Sequence, residues 1–259
     1  MSAKLHSSVK GNGPDVVLLH GLFGSGNNLG ALARSLAEHY TVHSLDLPNH
    51  GRSQWQVHGD IGAMADSVVQ WMSGQVLESA SLVGHSLGGK VAMQIALSHP
   101  SVVRALVVAD IAPVAYPPRH DGVFAALAAV ASPPCRSRKE AADRMEAYLS
   151  EPGVIPFLLS SLQRSDEGTY QWRFNLAGIR EQYPSLSAAP PSAGSYSAPV
   201  LFISGGNSGY IKETHREAIT SRFPRARLKI MAGCGHWLHA EKPELFNRLV
   251  ADFLDVESS

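Results

Sequence analysis

The chain has 259 residues, 22 Lys+Arg against 22 Asp+Glu, with 44% hydrophobic and 17% charged residues. That length suits one large domain, or a core domain with an insertion, and the apolar share can bury a sizeable core, which excludes disorder. Zero net charge, with both signs mixed along the chain, argues against nucleic acid or an anionic membrane as main partner.

The predicted elements begin with Val16-Val17-Leu18-Leu19, a continuous apolar run ending in His20-Gly21. It reads as a buried parallel strand. A helix period follows over residues 28–39, then a strand over 40–45 that ends at Asp46. Asp60 can cap a helix reaching about Val76, with Ile61, Met64, Val68, Val69 and Met72 on one stripe. Residues 80–83 form a short strand, 87–98 a helix stopped by Pro100, and 105–109 a strand ending at Asp110. This alternation implies a mostly parallel sheet with helices on both faces.

The pattern changes over residues 114–193. Helical segments are expected at 121–131, 137–150, 153–163 and 177–183, with no clear strand. Pro-rich joints separate them: Pro117-Pro118, Pro133-Pro134, Pro152 and Pro190-Pro191. Alternation then resumes with a strand at 200–204, a helix at 212–223, a strand at 226–231 and a helix at 241–256. The expected division is an α/β core of 1–113 and 194–259, with 114–193 as a helical cap.

Cys135 and Cys234 form no C-x-x-C pair and no disulfide framework, which suits a reducing compartment. No run approaches the roughly 18 apolar residues of a membrane span, and Met1 to Lys10 lacks the apolar stretch of a signal peptide. A cytoplasmic protein without integral membrane association is expected.

In parallel sheets the residues just after the strands build the site. Gly84-His85-Ser86-Leu87-Gly88 is G-x-S-x-G between a strand and a helix. The sharp turn lifts the Ser86 hydroxyl to a helix N-terminus, where backbone N–H groups favour an oxyanion. Ser86 is the expected nucleophile. His236, in Gly235-His236-Trp237 after the last strand, is the expected base, with His239 its nearest rival. No third ligand accompanies His236 and His239, so no metal is expected.

The base needs a carboxylate to hold its tautomer. Many enzymes of this kind place it after the next-to-last strand, in a G-x-x-D turn. Here the turn is Gly205-Gly206-Asn207-Ser208, with no carboxylate from Val200 to Ile211. Asp110 is therefore the expected acid; Asp46 ends a strand expected on the far side of the sheet. The oxyanion donors should be the N–H of Leu87 and of Leu22, with Phe23 as alternative to Leu22. His20 is expected to pin that loop.

These residues resemble the α/β-hydrolase superfamily, in its order nucleophile, acid, histidine. The stretch Asp46-Leu47-Pro48-Asn49-His50-Gly51-Arg52-Ser53 is similar to its D-x-P-G-H-G-x-S loop, with Asn49 where glycine is usual. Further stretches resemble the bacterial YbfF-type esterases. They include His20-Gly21-Leu22-Phe23-Gly24-Ser25, Asp110-Ile111-Ala112-Pro113-Val114, Arg119-His120-Asp121, Trp172-Arg173-Phe174-Asn175, and Gly235-His236-Trp237 before His239-Ala240-Glu241-Lys242-Pro243. That resemblance implies an acid after the strand following the nucleophile helix. It implies hydrolysis of small-molecule carboxylic esters and of thioesters including acyl-CoA, and no cofactor. Carbon–carbon bond hydrolases and cofactor-free haloperoxidases use the same triad and stand as the alternative.

Phe23, Arg119, Tyr210 and Trp237 are the expected substrate contacts. Arg119 suits a phosphate or carboxylate on the substrate, or a solvated helix start. Phe124, Leu127, Phe157, Leu158 and Trp172 suit either an acyl site or the core of the cap.

Overall fold

The computed structural model describes residues 3–57, 59–151 and 153–258. The first part of the chain runs β1 (Ser7–Lys10), β2 (Asp15–Leu19), α1 (Gly30–Leu36), β3 (Thr41–Leu45), α2 (Ile61–Gly74), β4 (Ala80–His85), α3 (Leu87–Ser98) and β5 (Val103–Ala109). An intervening segment holds α4 (Asp121–Ala131), α5 (Arg138–Glu146), α6 (Val154–Leu159), β6 (Leu162–Arg164), β7 (Tyr170–Trp172) and α7 (Leu176–Ser187). The chain closes with β8 (Val200–Gly205), α8 (Arg216–Arg222), β9 (Ala226–Met231), α9 (Leu238–Glu241) and α10 (Pro243–Ser258).

Seven strands pair in the order β1-β3-β2-β4-β5-β8-β9, parallel except for β1 against β3. Side chains of a strand alternate between faces. In β2, Val17 and Leu19 face one core and Val16 and Leu18 the other. The first core takes α2, α3 and α8 through Met64, Val68, Val91, Ile95 and Ile219. The second takes α1 and α10 through Leu32, Leu36, Phe246, Val250 and Leu254. Asp60 caps α2, its carboxylate accepting from the Ala63 N–H at 2.8 Å.

One strand is unexpected, and two expectations need correction. β1 escapes a sequence reading because Ser-Ser-Val-Lys is an exposed edge strand with no apolar pattern. The intervening segment does contain strands: β6 and β7 form an antiparallel hairpin of three residues each. The helix expected over 153–163 accordingly stops at Leu159. Strands that short carry too few residues to show a period of two. The Pro152 joint lies outside the described residues.

The segment between β5 and β8 packs on the first core. Phe124, Leu127, Trp172 and Phe174 join the same apolar cluster as Leu19, Leu82 and Val108. Polar ties reinforce this. The Ser161 hydroxyl donates to the Phe23 carbonyl at 2.7 Å. The Lys90 ammonium donates to the Ser187 and Ala188 carbonyls at 2.7 and 2.5 Å, at the end of α7. Asn49, at φ 66°, donates to the buried Gln182 amide and accepts from the Asn175 amide, each at 3.1 Å.

Candidate active site

β4 delivers Ser86 at its carboxyl end, and α3 leaves directly after it. Ser86 sits at φ 52°, ψ −116°, a strained conformation for a residue with a side chain. The turn closes only because its flanks lack Cβ atoms. A Cβ on Gly84 would overlap the Gly88 carbonyl, and one on Gly88 would overlap the Leu19 carbonyl. The Ser86 N–H is tied to the Ala109 carbonyl of β5 at 3.0 Å, so the elbow is anchored to its neighbour strand.

His236 arrives on the loop after β9, and its Nε2 lies 3.0 Å from Ser86 Oγ. Its Nδ1 lies 2.7 Å from Asp110 Oδ2. An ionised carboxylate can only accept, so Nδ1 carries the proton and Nε2 offers its lone pair to the Ser86 hydroxyl. Asp110 is fully buried at the end of β5, next to the strand that carries Ser86. Its other partners are all donors. The Gly205 N–H reaches Oδ1 at 2.9 Å, the Ser204 hydroxyl reaches it at 3.5 Å, and the Ser208 hydroxyl donates to Oδ2. The end of β8 and the turn after it thus supply hydrogen bonds to a carboxylate that stands one strand away. Ser208 occupies the last position of the G-x-x-D pattern.

The loop after β2 is held by two buried histidines. His20 Nδ1 donates to the Gly21 carbonyl at 2.8 Å, and its Nε2 accepts from the Leu47 N–H at 3.0 Å. His50 Nδ1 donates to the Pro48 carbonyl at 2.8 Å, and its Nε2 accepts from the Phe23 N–H at 3.1 Å. Burial pushes His50 down to about 3, so it stays neutral and remains an acceptor. This corrects one alternative: the Phe23 N–H is engaged and is no oxyanion donor. No hydrogen bond occupies the N–H of Leu22 or Leu87 among the described residues.

His85, the variable residue of G-x-S-x-G, has a part that the motif does not announce. Its Nε2 donates to the His236 carbonyl at 2.9 Å and so holds the His236 loop. Burial, with His239 and His236 as like-signed neighbours, pushes His85 well below its ordinary value. His239 packs its ring on His85 at 4.4 Å and is itself pushed down to about 4 by burial. It therefore backs the loop rather than rivalling His236. Asp46 anchors two loops, accepting from the Gly26 and Arg52 N–H groups at 2.7 and 2.8 Å.

A cavity of about 390 Å³ opens onto Ser86 and His236. Phe23, Arg119, Tyr210 and Trp237 all line it. Tyr210 stacks on the His236 ring at 4.0 Å, and the Arg119 guanidinium lies 6.0 Å from the Tyr210 ring centroid. Phe157 and Leu158 contribute apolar wall, with Ile111, Val123 and Val154. Phe124, Leu127 and Trp172 do not line the cavity; they belong to the core behind it. Sequence reasoning gave no cavity role to Lys90, His120 or Tyr183, which also line it. Burial pushes the Lys90 ammonium down to about 7. Among the described residues no cluster of three or more His, Cys, Asp or Glu could hold a metal ion.

This arrangement can pass a proton from a serine hydroxyl to an imidazole backed by a carboxylate, beside two open N–H groups. Residues 16–249 match the model of the alpha/beta hydrolase family. The chain belongs to the alpha/beta hydrolase family. Within it, the chain is 40% identical over 245 residues to "Esterase YbfF" of Escherichia coli (strain K12), covering 94% of each protein. It is 37% identical to "sn-1-specific diacylglycerol lipase ABHD11" of Mus musculus, covering 93% of this chain and 81% of that protein. Among solved structures, "Marine microorganism esterase" superposes at a TM-score of 0.93 with 33% identity, over 97% of this chain and all of that one. This alpha/beta hydrolase is of the YbfF type, and no helix of its described residues is long and apolar enough to cross a membrane.

Proposed function

We propose that this alpha/beta hydrolase is a serine hydrolase that cleaves small-molecule carboxylic esters, and acyl-CoA thioesters, through an acyl-enzyme. The observation that supports this most is the continuous chain Ser86–His236–Asp110, with contacts of 3.0 and 2.7 Å, facing a mostly apolar cavity. Ser86 attacks the carbonyl while His236 takes its proton. The Leu22 and Leu87 N–H groups hold the oxyanion, each worth about 3 kcal/mol in the transition state. His236 then protonates the leaving group and activates the water that releases the acid. Asp110 stabilises the imidazolium, and Ser204, Gly205 and Ser208 keep that carboxylate oriented.

Residues 114–193 act as a cap that closes the cavity over Ser86. Phe23 and Trp237 form its walls, and Tyr210 supports His236. Arg119, exposed at the mouth, receives an anionic part of the substrate such as a CoA phosphate. Two buried free cysteines, Cys135 and Cys234, suit work in the cytoplasm.

Kinetics of wild type and Ser86→Ala on p-nitrophenyl esters test the reading, with fluorophosphonate labelling alongside. Loss of both turnover and labelling, in a variant with unchanged melting temperature, supports it. Full residual turnover refutes it. Arg119→Ala should raise KM for acyl-CoA more than for neutral esters; an equal effect on both refutes the anion role.

A further inference from the structure

We propose that His120 presents a neutral imidazole N–H to the substrate and selects for an uncharged oxygen acceptor on it; this rests on the ester-hydrolase reading above. His120 stands at the head of α4, and its ring lines the cavity onto which Ser86 opens. The direction of its hydrogen bonds follows from its neighbours. The Arg119 backbone N–H lies 3.3 Å from the Tyr183 hydroxyl oxygen and can only donate to it. The Tyr183 hydrogen cannot return that way. It has one acceptor within reach among the described residues, His120 Nδ1 at 2.5 Å.

With the Tyr183 hydrogen on Nδ1, the ring accepts there and the single proton of the neutral ring sits on Nε2. Burial, then the charges of His236 and Arg119, push His120 down to about 4, so the ring is uncharged at neutral pH. Nε2 has no partner among the described residues, and it is not sealed away as a fully buried atom. The ring lines the cavity, so Nε2 is the ring nitrogen left to meet a substrate there.

The ring is held before any substrate arrives. It meets Tyr183 edge-on at 5.3 Å and Phe23 at 6.5 Å. Phe23 follows Leu22 in the loop after β2, and the His120 ring lines the same cavity as Leu22, Phe23 and Ser86. Val123, Val154 and Leu158 make the nearby wall apolar. A purely hydrocarbon group there strips water from the N–H and returns nothing; an ether, carbonyl or hydroxyl oxygen restores the hydrogen bond. The cations of the cavity do not duplicate this part. Lys90 is engaged by two carbonyls and lies 4.9 Å from the Tyr116 ring centroid, and Arg119 is exposed at the mouth.

The oxygen can belong to the alcohol or to the acyl part of the substrate. Two isosteric pairs separate these sources: 2-methoxyethyl butanoate against butyl butanoate, and p-nitrophenyl 4-methoxybutanoate against p-nitrophenyl hexanoate. The wild type should favour the oxygen-bearing member of one pair by about tenfold in kcat/KM. His120→Phe should abolish that preference, bringing the two members of the pair within about twofold of each other. His120→Gln, which keeps an N–H donor, should retain part of it. Tyr183→Phe, which frees Nδ1 from its donor, should weaken it. No preference in either pair overturns the proposal, as does a preference that survives in a folded His120→Phe. If His120→Phe does not fold, an undiminished preference in Tyr183→Phe overturns it. Hydrolysis of none of the four esters by the wild type strikes the ester-hydrolase reading itself, a result distinct from hydrolysis without preference.

Discussion

Acid should unfold this protein early, because its site is built on neutral buried histidines. His50 is held down to about 3 and His239 to about 4, both by burial first. His20 and His85 are lowered for the same leading reason. The ordinary value is 6.5. Between these limits the unfolded chain binds protons that the folded protein refuses. Stability is then full above pH 6.5 and falls as pH drops toward the folded values. At pH 5 each such histidine has lost about 2 kcal/mol, so His50 and His239 together account for roughly 4 kcal/mol. A typical whole stability is about 5–15 kcal/mol. The site suffers first in a specific way: a proton on His50 Nε2 would confront the Phe23 N–H with a second donor and release the loop that carries Leu22. Urea unfolding followed by circular dichroism at pH 7.5, 6.5 and 5.5 measures the slope. His50→Gln should flatten it by about 1 kcal/mol between pH 6.5 and 5.5. An unfolding free energy that stays level from pH 7 to pH 5 would refute the reasoning, since the rings would then be taking protons in the folded state.

Asp110→Asn should lower kcat by about 10⁴-fold, and should also lower the melting temperature because an amide N–H₂ would meet a buried site made of donors. Steady-state kinetics with a p-nitrophenyl ester checks this. Gly88→Ala should cost more than about 3 kcal/mol, since its Cβ would overlap the Leu19 carbonyl and backbone must move; the thermal melt reads it. Lys90→Met leaves the Ala188 carbonyl without its hydrogen bond and should cost about 1–3 kcal/mol. Limited proteolysis near residue 188 should quicken with it, and an unchanged cleavage rate would show that α7 is held by other contacts.

Local signals determined much of this protein. The run Val16 to Leu19, the glycines around Ser86 and the Asp60 cap act within a few residues, so their effects are written in neighbouring letters. They gave the alternating core, the elbow and the histidine loop. Even the choice of Asp110 rested on a local fact, the lack of a carboxylate after Gly205-Gly206. Only the tertiary structure decided how these pieces support one another. Ser208 and Asp110 are far apart in the chain, and nothing in either stretch says that a hydroxyl meets a carboxylate. The engagement of the Phe23 N–H depends on His50, a residue of another loop. The Tyr183 hydroxyl and the His120 ring meet because α7 folds back beside the start of α4. Hydrogen-bond direction depends on which donor faces which acceptor across such distances. A zero net charge could not reveal that the cavity sets one engaged cation, one exposed cation and one neutral N–H around the same space.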